Sequence, residues 1–125
     1  MTEDELSNII IGLAIKVHKS VGPGLLESVY EECLYYELKK NGLSVKKQVP
    51  IPMYYENIKI DCSFRADIIV DDKIIIEIKA VKTLEDIHLA QLLTYLRITN
   101  KKLGLLFNFN EKILMNGFKR VVNNL

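Results

Sequence analysis

Two acids and a lysine frame one short stretch of this chain: Asp67, and ten residues later Glu77-Ile78-Lys79. Between them, Asp71-Asp72-Lys73 reads as a turn flanked by apolar, strand-like runs. A three-residue loop pairs Val70 with Ile74. Ile68 then faces Ile76, Ala66 faces Ile78 and Phe64 faces Ala80, which makes one face wholly apolar. The other face pairs Ile69 with Ile75, Asp67 with Glu77 and Arg65 with Lys79. A two-residue loop would carry Glu77 to the apolar side, so the alternation of both strands selects the longer loop. Directly opposed Cβ atoms lie roughly 4.5–5.5 Å apart, and like charges there destabilise a sheet. A divalent cation between the two carboxylates would remove that repulsion, and Lys79, one step along the strand, would reach the same place. The alternative is a half-exposed sheet face with scattered charges, on which Lys79 bridges diagonally to Asp67.

Three more residues could converge on these acids. Glu27 stands in the first turn of a predicted helix, on the side continued by Tyr30, Leu34 and Leu38. An acid there complements the helix dipole by about 0.3–1 kcal/mol, yet this stripe is the one expected to face the sheet. Gln91 and Tyr95 lie four apart on another helix and so share a face. A glutamine in such an apolar helix more often satisfies a local backbone group. His18 reads as a surface or packed histidine, and His88 as a neighbour of the site, one turn before Gln91.

Periodicity and punctuation supply the elements that must position these residues. Thr2 and Glu5 form a capping box, and Leu6, Ile9, Ile10, Leu13, Val17 and Val21 keep helical spacing up to Gly22-Pro23-Gly24. A second helix runs from Leu25 to Lys40, with Asn41-Gly42 as its stop. Strands are expected at Leu43–Val49, Ile51–Tyr55, Ile58–Val70 and Ile74–Val81, and Pro50 and Pro52 put the first two at a sheet edge. Thr83 and Asp86 open a third helix over Leu84–Ile98, and Leu103–Phe109 is an apolar strand. Ile113–Met115 and Phe118–Val122 read as a closing hairpin around Asn116-Gly117. The order α-α-β-β-β-β-α-β-β describes an α/β fold, a mixed β-sheet flanked by helices.

A chain of 125 residues reads as a single domain with enough core to fold without disulfides. Cys33 and Cys62 read as reduced, buried thiols of a cytoplasmic protein, and two cysteines alone hold no iron–sulfur cluster. Glu3, Asp4 and Glu5 are unlike a signal peptide, and Lys16, His18 and Lys19 interrupt the first apolar helix too early for a membrane span. The net charge of +1 conceals segregation: residues 1–38 carry −5, residues 39–59 carry +4, residues 60–90 carry −3 and residues 91–125 carry +5. Basic blocks flanking an acidic site suit a nucleic-acid partner, although lysine-rich solvated surface is the commoner explanation for any one cluster.

Asp67, Glu77-Ile78-Lys79 and Gln91-x-x-x-Tyr95 together resemble the PD-(D/E)xK nuclease superfamily, the last feature being similar to its RecB-like branch. Gly24-Leu25-Leu26-Glu27-Ser28-Val29-Tyr30 resembles the signature of the small GxxExxY proteins within it. The likeness spans nearly the whole chain; Ala66 stands where the superfamily name has proline. The resemblance implies a restriction-endonuclease-like fold and hydrolysis of phosphodiester bonds, in DNA above all, with Mg²⁺ or Mn²⁺. It implies that Asp67, Glu77 and the Ile78 carbonyl bind the metal, with Glu27 completing the shell, often through water. Lys79 would orient or activate the attacking water, and Gln91 and Tyr95 would position the site and the nucleic-acid backbone. A homodimer is expected for an enzyme this small that cuts both strands. The alternative is a non-catalytic nucleic-acid-binding or protein-interaction module on a nuclease fold.

Overall fold

The computed structural model describes the chain from Met1 to Leu125 apart from the side chains of residues 61–63, so Cys62 lies outside the described residues. Helix α1 (Glu3–Val21) opens on the expected capping box, in which Thr2 Oγ1 accepts the Glu5 N–H and Glu5 Oε1 accepts the Thr2 N–H. It ends at Gly22 (φ 71°), and Gly24 (φ 94°) turns the chain into α2 (Glu27–Lys40). Both angles lie where a Cβ is unfavourable, which is why glycine occupies both positions. Tyr30, fully buried, closes this turn: its hydroxyl donates to the Gly22 carbonyl at 2.7 Å and accepts the Leu25 N–H at 3.1 Å.

Five strands follow in a sheet whose spatial order is the chain order: β1 (Val45–Tyr55), β2 (Ile58–Val70), β3 (Ile74–Lys79), β4 (Leu103–Asn108) and β5 (Phe118–Val122). Only β3 and β4 pair in parallel, across the crossover helix α3 (Asp86–Thr99). Leu6, Ile10, Tyr30 and Leu34 of α1 and α2 pack on one face against Ile68, Ile76, Ile78 and Phe107. Leu92, Tyr95 and Leu96 of α3 cover the other face against Ile69, Ile75 and Leu106. This is the α/β arrangement expected from a restriction-endonuclease-like chain. Among the described residues, no helix is long and apolar enough to cross a membrane.

Two expected elements differ. Leu43–Val49 and Ile51–Tyr55 form one strand, so three strands rather than four precede α3. Pro50 does not end β1, because β1 is an edge strand whose missing donor can face away from a neighbour. Ile113–Met115 forms no strand; a 3₁₀ turn, Leu114–Gly117, drops Leu114 into the core on the α1 side. Gly117 packs so closely there that a Cβ would stand 2.6 Å from Glu111 Cγ.

The hairpin keeps its expected loop and register only over its first three rungs, Val70 with Ile74, Ile69 with Ile75 and Ile68 with Ile76. Ala66 and Phe64 do not continue the face of Ile68 and Val70. They pack on the α3 side, while Ile68, Val70, Ile76 and Ile78 pack on the α1 and α2 side. Alternation therefore slips at Asp67. The residue opposite it on β1, between the Lys47–Ile68 and Val49–Ala66 pairs, is Gln48, whose φ of 51° is left-handed. On the β3 side the ladder ends at Ile68 and Ile76, so Arg65 forms no rung with Lys79, while on the β1 side it pairs with Pro50. A strand residue in that conformation twists its neighbours out of register with the pleat, and the two core faces exchange at this point.

Candidate metal centre

The ladder between β2 and β3 stops where Asp67 and Glu77 would meet, and their carboxylates take over the hydrogen bonding. Glu77 Oε2 accepts the Asp67 N–H at 2.8 Å, and Asp67 Oδ2 accepts the Ile78 N–H at 2.8 Å. Each acid thus grips the opposite strand's backbone, and the two side chains converge. Glu77 is buried and Asp67 half-buried. Burial, then the Asp67 charge, pushes the Glu77 carboxyl up to about 8. Burial likewise raises Asp67, against the opposing effects of the Ile78 N–H and the Lys79 ammonium. Lys79 is half-buried beside the pair and lowers both acids through its charge, but it makes no ion pair among the described residues. The diagonal bridge from Lys79 to Asp67 is therefore not formed.

The helical acid facing the pair in this structure is Glu31. Glu27 shares its helix face, four residues earlier, but lies exposed in the first turn of α2. Glu31 is buried, accepts from Gln48 Nε2 at 2.6 Å, and its carboxyl is raised by burial and by the nearby Asp67 charge. Gln48 Nε2 also lies 3.5 Å from Asp67 Oδ1, so one amide spans acids from two elements. Glu31 was legible in the sequence as the next turn of the same stripe. Gln48 carried no signal, because its place depends on the slip in the sheet.

From the other layer, Tyr95 is buried with its ring 6.1 Å from that of Phe64. Burial and the Glu77 and Asp67 charges raise its phenol, so it stays an O–H donor beside the acids. Gln91, one turn earlier, is half-buried. The sequence reading also missed Asn108, which stands in register beside Lys79 and is fully buried. Its side chain accepts the Val81 N–H at 3.0 Å and donates to the Val81 carbonyl at 2.9 Å, fixing the chain just past Lys79. His18 is a packed histidine, with Nε2 2.7 Å from the Glu111 carbonyl. His88 Nδ1 accepts the Glu85 N–H at the start of α3.

This donor set suits a hard divalent cation. One oxygen of each central acid is tied to backbone, while among the described residues Asp67 Oδ1 keeps only the long contact from Gln48. Among the described residues, no three acid, histidine or cysteine side chains form a ready cage. Mg²⁺ is commonly held by one or two carboxylates and retains several waters.

Comparisons with curated proteins and with solved structures each return no match. A family model described as the PD-(D/E)XK nuclease superfamily matches residues 4–121, which include both strands of the acid pair, Lys79 and α3. The chain belongs to the PD-(D/E)XK nuclease superfamily.

Proposed function

We propose that this protein is a divalent-metal-dependent nuclease that hydrolyses phosphodiester bonds of DNA. The observation that carries the reading is the pair of buried Glu77 and half-buried Asp67, converging beside Lys79, which makes no ion pair among the described residues. Two converging carboxylates, one buried and one half-buried, cost stability unless a proton or a cation intervenes. Asp67 and Glu77 would hold Mg²⁺ or Mn²⁺, with the Ile78 carbonyl as a further ligand and Glu31 or Glu27 reached through water. The cation would supply Lewis acidity to the phosphate and make water a better nucleophile at neutral pH. Lys79 places positive charge where the phosphate oxygens gather negative charge. Tyr95 would offer its phenol O–H from the α3 side, Gln91 would extend that polar edge, and Gln48 holds Glu31 toward Asp67. The exposure of Glu27 favours a second reading, a nuclease fold that binds nucleic acid without cutting it.

Cleavage of single- and double-stranded DNA with Mn²⁺, followed for wild type, Lys79→Ala and Glu77→Ala, tests the first reading. Lys79→Ala should keep metal-induced stabilisation and lose cleavage by about 10²-fold. Glu77→Ala should lose both. A wild-type protein that binds DNA and metal and cuts no substrate form establishes the second reading.

A further inference from the structure

A groove of about 290 Å³ lies beside the acid pair on the α3 side, between Met53 and Phe64 of the β1–β2 ribbon and Ile87, Gln91, Tyr95 and Ile98 of α3. Its inner end is Tyr95, whose phenol feels the charges of Glu77 and Asp67. Phe64 is three residues from Asp67 on β2, roughly 10 Å along the strand, so the groove opens within a nucleotide or two of the acids. Its outer side continues into the ribbon. Tyr55 lies two residues beyond Met53 on β1 and shares its face. Tyr55 and Ile58, its partner on β2, are 68% and 62% exposed on that face, and Ile87 across the groove is 66% exposed. The β1 arm of this ribbon belongs to the +4 segment of residues 39–59, with Lys46 exposed near its start and Lys59, across from Tyr54, exposed on the other face of the ribbon.

An intact duplex keeps its bases stacked inside and offers a flanking protein surface mostly sugar and phosphate. An aromatic and aliphatic groove beside a phosphate-cutting site gains little from such a substrate. A strand with unstacked bases can lay them on aromatic faces while lysines follow its phosphates, a mode that tolerates any sequence because every base has a π-face. The Gln91 amide at the groove wall can meet a base edge. We propose that the groove and the exposed ribbon bind the unstacked bases of a single-stranded nucleic acid, so that the site works on single strands or frayed ends. This rests on the nuclease reading for the site's identity and adds the substrate's form.

The test is a pair of DNA oligonucleotides, one single-stranded and one a blunt hairpin duplex, each carrying 2-aminopurine and titrated with the full chain in Ca²⁺ at fixed salt. The single strand should bind at least tenfold more tightly than the duplex, and its 2-aminopurine fluorescence should change as the base stacks. Tyr55→Ser and Ile87→Ser alter exposed side chains, so thermal melts should hardly move. Each should weaken single-strand binding about tenfold and leave duplex binding unchanged. Equal affinity for both forms, or variants that bind as wild type does, overturns the proposal. A concentration-dependent dimer in sedimentation that these substitutions abolish also overturns it, by assigning the face to a second copy. Cleavage is scored separately with Mn²⁺. A protein that prefers single strands and cuts nothing loses the nuclease reading alone. One that cuts duplex and single strand equally loses only this proposal.

Discussion

Replacing Glu77 by Gln in the metal-free protein should change how stability depends on pH. In the unfolded chain this carboxyl titrates near 4.5, and in the fold burial and the Asp67 charge raise it to about 8. Between those values the folded protein holds more protons than the unfolded chain, so stability falls as pH rises. The contribution is fully present below about pH 4.5 and is lost as pH passes 8. The full interval corresponds to at most about 5 kcal/mol. Sharing the proton with Asp67, and relaxation of the site, should leave about 2–4 kcal/mol. Glutamine keeps an oxygen to accept the Asp67 N–H and carries no charge, so it should remove the dependence that Glu77 causes. For a chain of this size 1 kcal/mol moves Tm by roughly 3–5 °C. The Tm of wild type relative to Glu77→Gln, measured in EDTA from pH 5 to pH 9, should therefore drop by about 10 °C. Groups that titrate alike in both proteins cancel in that difference. At pH 8, millimolar Mn²⁺ should raise wild type and leave the variant unmoved, because an ion that binds only the folded state stabilises it. Parallel curves for the two proteins would refute the claim that the buried acid pair dominates the electrostatics of the site.

Three further expectations follow from single contacts. Gln48→Gly should leave metal-free stability near wild type in urea melts, since relief of the left-handed backbone offsets the lost amide, whereas Gln48→Val should cost roughly 1–3 kcal/mol. Asn108→Ala should cost about 2–4 kcal/mol by leaving both polar groups of Val81 without partners, and cleavage should fall further than stability alone explains, because Lys79 stands on the strand it holds. Tyr30→Phe should cost about 1–3 kcal/mol in the same melts, because the Gly22 carbonyl and the Leu25 N–H both lose their hydroxyl partner.

Much of the architecture was legible in residue order because it depends on local chemistry. The capping box at Thr2, the glycines after Val21 and the three-residue loop at Asp71 are local conformational choices, and each stands where the sequence placed it. The edge position of β1 was legible from its prolines, for the same reason. The merging of two predicted segments across Pro50 was not, since whether a missing donor matters depends on which side of the strand has a neighbour. Nor was the fate of Ile113–Met115, where close packing of Gly117 against Asn108 and Glu111 replaces strand pairing.

The candidate site divides in the same way. Sequence spacing determined that Asp67, Glu77 and Lys79 come from the two arms of one hairpin, because loop length and alternation leave one register. Only the tertiary structure decided how the acids meet. They meet past the end of the ladder, each bonded to the opposite backbone, at a slip that stands opposite a left-handed Gln48 on a third strand. Which acid of α2 lies against them was also a tertiary matter. Glu27 and Glu31 share one helix face, and depth beneath the sheet edge, which helical periodicity does not encode, leaves the first exposed and buries the second.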